Sequence, residues 1–235
     1  GLTALGFTTA AAEHGLGVGF GDTGSVGIGG ITLGGGVGYL VRKYGLTIDD
    51  LLAADIVTAD GDVRRVDAEH EPDLFWAIRG GGGNFGVATR FRFRLHEIDT
   101  VVGGMLLPPE ELSSIANVMP APPMPFVPEE AHGKLVIMAL MTYAGDPEAG
   151  QGALAPFRAL AEPVADLLRP MPYPEVYPPE DEEYHPVATA RTMFVDTIGR
   201  AEAETILEHL VNSTAMMGVA QLRTLGGAMA RVPVD

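Results

Sequence analysis

Residues 27–38 combine residue types and spacing that suit the binding of an anionic ligand. Seven of these twelve residues are glycine, and most of the others are the apolar residues Ile28, Ile31, Leu33 and Val37. Glycine is costly to order, so such a cluster is favoured where the backbone needs a positive φ or must approach a ligand closely. The apolar residues exclude a flexible Gly/Ser linker. We therefore predict a buried loop that directs backbone N–H groups toward an anion; the alternative is a turn whose glycines serve packing alone.

The pattern G-x-G-x-x-G occurs twice, at residues 19–24 and at residues 81–86. A Rossmann dinucleotide fingerprint must open a helix. We expect no stable helix at residues 25–30, and residues 87–95 alternate like a strand. Neither match therefore favours a nicotinamide-dependent dehydrogenase, which is kept as a third functional alternative.

The segments around the glycine-rich stretch show the periodicities of short helices and strands. Up to residue 98 we expect helices over residues 2–14, within 34–44 and over 73–78, and strands over 18–20, 52–58, 63–66 and 87–95. Gly15 and Gly45 are placed to end the first two helices. In the second helix we expect Leu40 and Val41 to point inward, and the charged pair Arg42 and Lys43 to point outward.

Strict alternation along residues 87–95 predicts a strand with two different faces. One face carries Val87, Thr89, Phe91, Phe93 and Leu95, and the other carries Ala88, Arg90, Arg92 and Arg94. We interpret the arginine row as a solvated sheet face, with anion binding as the alternative.

A change of composition near residues 96–100 predicts two domains, at residues 1–98 and 99–235. Seven prolines within residues 107–130 predict an irregular connection, and the proline-rich, acidic residues 163–186 predict a loop. The other expected elements are strands over 134–143, 189–196 and 220–225, and helices over 148–160 and 200–211. The last helix is amphipathic, with Ile206, Leu207, Leu210 and Val211 on one side.

Charge and composition exclude several classes of partner and of chemistry. A net charge of −16, with Lys43 and Lys134 as the two lysines, disfavours nucleic acid and anionic membrane surfaces. No apolar run approaches the roughly 18 residues of a membrane span. The chain has no cysteine, which excludes disulfides, thiolate catalysis and zinc–thiolate sites. We expect no nucleic acid or membrane partner, and a cytoplasmic location.

The sequence lacks the motifs of metal sites and of common hydrolases. No H-x-H or H-E-x-x-H is present, so no metal site is expected. No serine-hydrolase or P-loop motif occurs either. The scattered histidines are interpreted as surface or hydrogen-bonded side chains: His14, His70, His96, His132, His185 and His209.

Four motifs, taken in order, carry a resemblance to a known family. They are residues 27–38, Arg42-Lys-Tyr-Gly-Leu46, Val57-Thr-Ala-Asp-Gly61 and Asp73-Leu-Phe-Trp-Ala-Ile-Arg-Gly-Gly-Gly-Gly-Asn-Phe-Gly-Val87. At this spacing they resemble the berberine-bridge-enzyme-like branch of the FAD-linked oxidases, in the vanillyl-alcohol-oxidase/PCMH-type superfamily. The resemblance is specific over residues 1–98 and looser beyond them.

This resemblance implies an α+β fold. Residues 1–98 would form a partial PCMH-type FAD-binding domain, and residues 99–235 a substrate domain with a mainly antiparallel sheet covered by helices. It also implies which residues bind FAD. The pyrophosphate and ribityl chain would lie against Gly29, Gly30, Gly34, Gly35 and Gly38.

Further FAD contacts are implied at a second set of positions. Asp49 matches an acidic position of the family, although Asp50 replaces the asparagine that usually follows it. Val57 would lie at the adenine end, and the cradle would be completed by Gly82, Asn84, Gly86 and Val87. We interpret Phe75 and Trp76 as packing residues, and no catalytic residue is assigned.

The chain also departs from the family's pattern. The N-terminal subdomain, with its flavin-linking histidine, and the C-terminal part find no match, so we expect a fragment. Thr23 stands where many members tether the flavin through cysteine, so FAD is expected to bind non-covalently. We expect this chain alone to bind FAD weakly or not at all, without oxidase turnover.

The function implied by the resemblance is that of an FAD-dependent oxidoreductase. It would oxidise an alcohol, a sugar or a secondary metabolite and pass electrons to oxygen. The alternative is a non-catalytic remnant or partner protein that keeps the fold and binds no flavin. A visible absorption spectrum of the purified protein distinguishes the two.

Overall fold

The computed structural model describes residues 1–98, 100–104, 112–177 and 188–232. The helices are α1 (Ala4–Ala12), α2 (Ile28–Leu33), α3 (Val41–Tyr44), α4 (Pro72–Ile78), α5 (Pro147–Arg158) and α6 (Arg200–Val211). The strands are β1 (Leu16–Gly17), β2 (Leu51–Val57), β3 (Val63–Asp67), β4 (Val87–Phe93), β5 (His96–Glu97), β6 (Val101–Gly104), β7 (Leu112–Pro120), β8 (Leu135–Tyr143), β9 (Arg169–Met171) and β10 (Ala220–Arg223). Single 3-10 turns lie at Thr47–Asp50, Gly82–Asn84, Glu129–Ala131, Tyr173–Val176 and Gly227–Arg231.

All the described strand pairs are antiparallel, and they form three sheets. One sheet pairs β1 with β5, a second has the order β3-β2-β4, and the third has the order β10-β7-β8-β6-β9. Helix α5 lies close against the third sheet, because a Cβ on Gly150 would be 2.8 Å from Val102 Cγ2. The α+β fold with a mainly antiparallel sheet is therefore confirmed.

The largest hydrophobic core joins residues from both sides of the expected domain boundary. Its fully buried members include Phe20 and Leu40 before residue 98, and Val101 and Tyr173 after it. Three phenylalanine rings meet edge to face in this core, those of Phe7, Phe20 and Phe93. The division at residues 98 and 99 stays a prediction.

Local capping explains why several predicted helices form where expected. Thr3 caps α1 by accepting a hydrogen bond from Gly6 N at 3.2 Å, and Gly15 adopts a φ of 68° just beyond that helix. Asp146 caps α5 in the same way, accepting from Ala149 N at 2.9 Å. Pro72 starts α4 with its fixed φ. These helices, the β2–β3 hairpin and strands β8 and β10 are confirmed, as is α6 at Arg200–Val211.

Two predictions about where helices and strands lie in the first 98 residues are wrong. The strand expected at residues 18–20 lies instead at Leu16–Gly17, and Val18 and Phe20 are apolar because they are buried in the core. Residues 25–30 were expected to exclude a helix, yet α2 begins at Ile28. Burial of Thr32 and packing of Ile28 and Ile31 on the core offset the low helix propensity of glycine.

Two further predictions fail in the second half of the chain. Residues 107–130 were expected to be irregular, but β7 runs through residues 112–120 between β8 and β10; residues 105–111 lie outside the described part. The strand expected at residues 189–196 does not form, and Met193 and Phe194 are exposed. A segment with strand propensity pairs only where a partner strand runs beside it. In the loop predicted at residues 163–186, β9 adds a three-residue strand, and residues 178–187 are not described.

A β-bulge in β4 overturns the predicted alternation at its start. The register pairs Ile56 with Ala88 and Asp55 with Arg90, which leaves Thr89 as the extra residue. Ala88 therefore faces the core beside Phe91, whereas Val87 is 68% exposed. The arginine row is nevertheless exposed to solvent, as predicted, for Arg90, Arg92 and Arg94.

Candidate functional site

Tertiary contacts bring the two glycine-rich segments together. Gly80 N, in the second segment, donates a hydrogen bond of 3.0 Å to the carbonyl of Leu33, the last residue of α2. Val57, at the end of β2, pairs with Val87, which directly follows the second segment. The two segments are about fifty residues apart in the chain, and these contacts place them next to each other in the fold.

The surface formed there is open and largely without side chains, so the prediction that residues 27–38 form a buried loop is wrong. Gly30 and Gly34 are exposed in the first segment, as are Gly82, Asn84 and Gly86 in the second and Val87 directly after it. Gly29, Gly35 and Val57 are half-buried. A Cβ on Gly30 would meet no atom within 4 Å, so the bare backbone there faces open space. We call these exposed and half-buried residues the glycine surface. It contains nine of the eleven residues predicted to bind the cofactor.

The loop after α2 is held by its carbonyl groups. Gly35 and Gly36 have φ values of 108° and 80°, which favour glycine. The carbonyl of Gly35 accepts from Ile48 N, and that of Gly36 accepts from Thr47 N, both at 3.0 Å. Because each peptide unit is planar and trans, the following N–H groups point away from these anchors. The N–H groups of Gly36 and Val37 therefore point away from residues 47 and 48, whereas those of Gly34 and Gly35 donate to the carbonyls of Gly30 and Thr32 at 3.1 Å. Anion binding by this loop stays a prediction.

Packing explains the glycines at two other positions of this stretch. A Cβ on Gly36 would overlap the Thr47 side chain, and one on Gly38 would lie 2.7 Å from Gly21 N. Both residues are buried. The packing alternative therefore accounts for these two glycines, and cofactor contact at Gly38 stays a prediction.

Asp49 has a clear role in its own turn. Its Oδ2 accepts a hydrogen bond from Leu46 N at 2.8 Å, next to Gly45, whose φ is 95°. Burial raises the pKa of the Asp49 carboxyl, and the charge of Asp50 adds to this effect, while the Leu46 N–H lowers the pKa. The structure places Asp49 beside the loop but outside the glycine surface, so its cofactor role is untested.

The second segment owes its shape to local bonds and to close backbone contacts. Asn84 Nδ2 donates to the carbonyl of Gly81 at 2.9 Å, which closes the turn. Gly86 has a φ of 140°, and a Cβ there would overlap the carbonyl of Val57 and lie 2.8 Å from Ile56 Cγ2. This glycine therefore allows the segment to reach the end of β2.

The sequence did not predict the residues that hold the loop after α2 in place. Thr47 is buried, and its Oγ1 donates to the carbonyl of Gly19 at 2.5 Å, so it ties two glycine-containing segments together. Asp50 is also buried, and both its carboxylate oxygens lie 2.9 Å from His96 Nε2. The Tyr44 ring stacks on His96 at 4.0 Å. The motif Arg42-Lys-Tyr-Gly-Leu46 ends directly before Thr47 and indicates none of these contacts.

Several side-chain predictions near the site need correction. Trp76 is 63% exposed, so its interpretation as a packing residue is wrong, whereas Phe75 is buried as expected. Arg42 does not point outward, because its Nε and Nη1 are buried, without a hydrogen-bond partner among the described residues. Lys43 is half-buried, and its Nζ donates to the carbonyl of Ala144. Leu40 and Val41 point inward as predicted.

Neither a metal-binding cluster nor a membrane-spanning helix is found among the described residues. In residues 1–98, 100–104, 112–177 and 188–232, no group of three histidine, aspartate or glutamate side chains is placed to hold a metal ion. Within the same ranges, none of the helices is both long and apolar enough to cross a bilayer.

A family model matches the part of the chain that contains the first glycine-rich segment. Residues 1–67 match the family model described as an FAD binding domain, and this match includes Gly29, Gly30, Gly34, Gly35, Gly38, Asp49 and Val57. The chain is related to the FAD-linked oxidoreductases. FAD is accordingly the cofactor that the family match supports, and Gly82–Val87 lie beyond the matched residues.

Three relatives show how far the similarity extends. The FAD-linked oxidoreductase pgmH of Aspergillus terreus is 36% identical over 158 residues, which are 67% of this chain and 32% of that protein. The structure of 6-hydroxy-D-nicotine oxidase from Arthrobacter nicotinovorans matches with a TM-score of 0.60 and 28% identity, over 75% of this chain and 42% of that one. The structure of BBE-like 1 from Physcomitrella patens matches with a TM-score of 0.57 and 26% identity, over 73% and 39%.

These findings confirm the resemblance to the berberine-bridge-enzyme-like FAD-linked oxidases. The chain spans 32% of the length of the Aspergillus relative and less than half of each of the two solved chains. The activity and the substrate of the whole protein are therefore proposed below.

Proposed function

We propose that the chain serves in an FAD-dependent oxidoreductase that acts on an alcohol, a sugar or a secondary metabolite, with oxygen as electron acceptor. The observation that carries this proposal is the glycine surface, where the FAD-domain match and the second glycine segment meet. Bound FAD supplies the ability to accept a hydride from a substrate C–H bond and to pass the electrons on.

The residues of the glycine surface fit an extended dinucleotide. Its exposed backbone at Gly30 allows phosphate oxygens to approach the amide without a side chain between them. Residues 27–38 contain no lysine or arginine, so backbone N–H groups would offset the phosphate charge. In this proposal Gly29, Gly30, Gly34, Gly35 and Gly38 line the pyrophosphate and ribityl chain.

The remaining predicted contacts extend this cradle along the sheet. Val57 would lie by the adenine end, next to its strand partner Val87. Gly82, Asn84 and Gly86 would present backbone and one amide side chain, and Asp49 would support the first segment from the side. In this proposal these residues hold and orient the cofactor, and none of them is assigned a proton-transfer role.

The attachment of FAD to this chain is proposed to be non-covalent. The chain has no cysteine, and Thr23, at the matching position, is exposed and donates to Asp22 Oδ1 at 3.3 Å. Acid precipitation of the loaded protein should release all flavin into the supernatant. Flavin retained in the pellet would contradict this part of the proposal.

Two broader features belong to the same proposal. We propose a division into an FAD-binding part, residues 1–98, and a substrate-binding part, residues 99–235, which share one core. A cytoplasmic location is proposed as well.

The decisive experiment is an FAD titration of the protein and of a variant with one added methyl group. Gly30→Ala introduces a Cβ that meets no protein atom, so it leaves the fold unchanged while it obstructs a ligand against the backbone. We expect FAD to bind in the micromolar range or more weakly, and the variant to bind at least about tenfold more weakly still, which is the loss of about 1.4 kcal/mol of binding free energy. Trp76 and flavin fluorescence report the binding.

The matched control is Gly152→Ala, on the exposed side of α5. A Cβ there also meets no atom within 4 Å, and the residue lies far from the glycine surface in the chain. It should bind FAD like the unaltered protein. A protein without flavin absorption that fails to bind FAD even at millimolar concentration would instead favour the non-catalytic alternative, and equal affinity of Gly30→Ala would refute the assigned surface.

A further inference from the structure

Arg223, at the end of β10, reaches from the five-stranded sheet to the first glycine segment. Its Nη2 forms an ion pair with Asp22 Oδ2, and its Nη1 donates to the carbonyl of Val37 at 3.3 Å. The guanidinium is itself held by Gln221 Oε1, which accepts from Nε at 2.9 Å and from Nη2 at 2.7 Å. The side chain of Arg223 thus connects strand β10 with Asp22 and Val37.

The carbonyl of Val37 completes a continuous row of anchored carbonyls. Those of Gly35 and Gly36 accept from Ile48 N and Thr47 N at 3.0 Å, and that of Gly38 accepts from Val41 N at 3.2 Å. Among these four consecutive carbonyls, that of Val37 is the one that accepts a hydrogen bond from a side chain of the five-stranded sheet. Its peptide unit carries the N–H of Gly38, which points the opposite way because the unit is planar and trans.

Asp22, the other partner of Arg223, is fixed on several sides. Its carbonyl accepts from the Tyr39 hydroxyl at 3.2 Å, and its Oδ1 accepts from Thr23 Oγ1 at 3.3 Å. The side chains of Asp22 and Arg223 are 25% and 30% exposed, so the ion pair is partly shielded from water. This pair therefore fixes the segment that precedes the glycine-rich stretch, while the Val37 bond fixes the end of that stretch.

We infer that Arg223 is a positioning residue for the dinucleotide, acting through Val37 and Asp22 on the backbone of residues 35–38. Gly35 and Gly36 both have positive φ and large conformational freedom, so the loop has to be ordered by its anchors before its amides are aligned. The second sheet thereby contributes to cofactor affinity. This inference rests on the proposed binding of FAD to the glycine surface.

The test compares Arg223→Ala, Arg223→Lys and Asp22→Asn in FAD titrations, each with its stability to urea. We expect Arg223→Ala to weaken FAD binding about tenfold, the effect of losing one charge-assisted hydrogen bond. Arg223→Lys should recover part of this loss, because a single ammonium group holds one of the two partners but not both. Asp22→Asn should weaken binding, and the double variant Asp22→Asn/Arg223→Ala should lose less than the sum of the two single changes.

Arg200→Ala is the matched control, since Arg200 is also an arginine in an ion pair, with Glu204, but its side chain is 90% exposed on α6. It should leave FAD affinity unchanged. If the unaltered protein binds no FAD, both the proposed function and this inference fail. If it binds FAD and Arg223→Ala binds equally well, or loses affinity only in proportion to its unfolded fraction, the proposed function stands and Arg223 is merely structural.

Discussion

Gly86 gives the sharpest test of how backbone geometry shapes the second glycine segment. We predict that Gly86→Ala destabilises the protein even without FAD. The φ of 140° at this position is one that residues with a Cβ rarely adopt, and the strain amounts to about 1–3 kcal/mol. The new methyl group would also overlap the carbonyl of Val57 and lie 2.8 Å from Ile56 Cγ2, which adds about 1–3 kcal/mol for overpacking.

The sum, about 2–6 kcal/mol, is a large part of the roughly 5–15 kcal/mol that stabilises a typical domain. With a urea dependence of about 3 kcal/mol per molar, the unfolding midpoint should fall by roughly 0.7–2 M. Urea titration followed by far-ultraviolet circular dichroism measures this midpoint.

Gly83→Ala is the control within the same segment. Gly83 has a φ of −79°, and a Cβ there would meet no atom within 4 Å. Its free energy of unfolding should change by less than about 0.5 kcal/mol. Equal midpoints for Gly86→Ala and Gly83→Ala would refute the argument from strain and overlap.

Two further predictions concern a helix cap and the alkaline limit of stability. Asp146→Ala should cost about 1 kcal/mol of unfolding free energy, because the hydrogen bond of 2.9 Å from Ala149 N to Asp146 Oδ1 is lost, and Asp146→Asn, which keeps an acceptor oxygen, should cost less in the same urea assay. Burial raises the pKa of Tyr177 from 10.0 to about 12, and burial also raises the pKa of Tyr39 and Tyr173. The fold favours the protonated hydroxyls, so this stability is present below the unfolded pKa of 10.0 and is lost as pH rises through about 12. Tyr177→Phe should make this alkaline loss smaller in urea titrations at increasing pH, and an unchanged pH dependence would contradict the assignment.

Much of the local structure follows from the sequence because its causes are local. The cap at Asp146, the proline at Pro72 and the amphipathic spacing of Arg200–Val211 each act within one or two turns of helix. The β2–β3 hairpin follows in the same way from Gly61, whose φ is 87° at the turn. The resemblance to the FAD-linked oxidases likewise follows from the sequence, because the order and spacing of the four motifs are properties of the sequence alone.

Other features depend on partners far away in the chain. The bulge at Thr89 shifts Ala88 into the core, and nothing in the alternating residues 87–95 reveals it. Strand β7 forms within a proline-rich segment because β8 and β10 supply its hydrogen-bond partners on both sides. Residues 189–196 have similar strand propensity, yet no described strand pairs with them, and they remain without regular structure.

The candidate site likewise combines features that have local causes with features that depend on distant residues. The sequence by itself determined which backbone is free of side chains, because glycine at Gly30, Gly34 and Gly86 is a property of each residue alone. Only the tertiary structure decided that Gly80 bonds to Leu33 and that Arg223 bonds to Val37. The bond between Arg223 and Val37 joins residues 186 positions apart. Its geometry depends on the packing of whole sheets, which no local pattern of residues encodes.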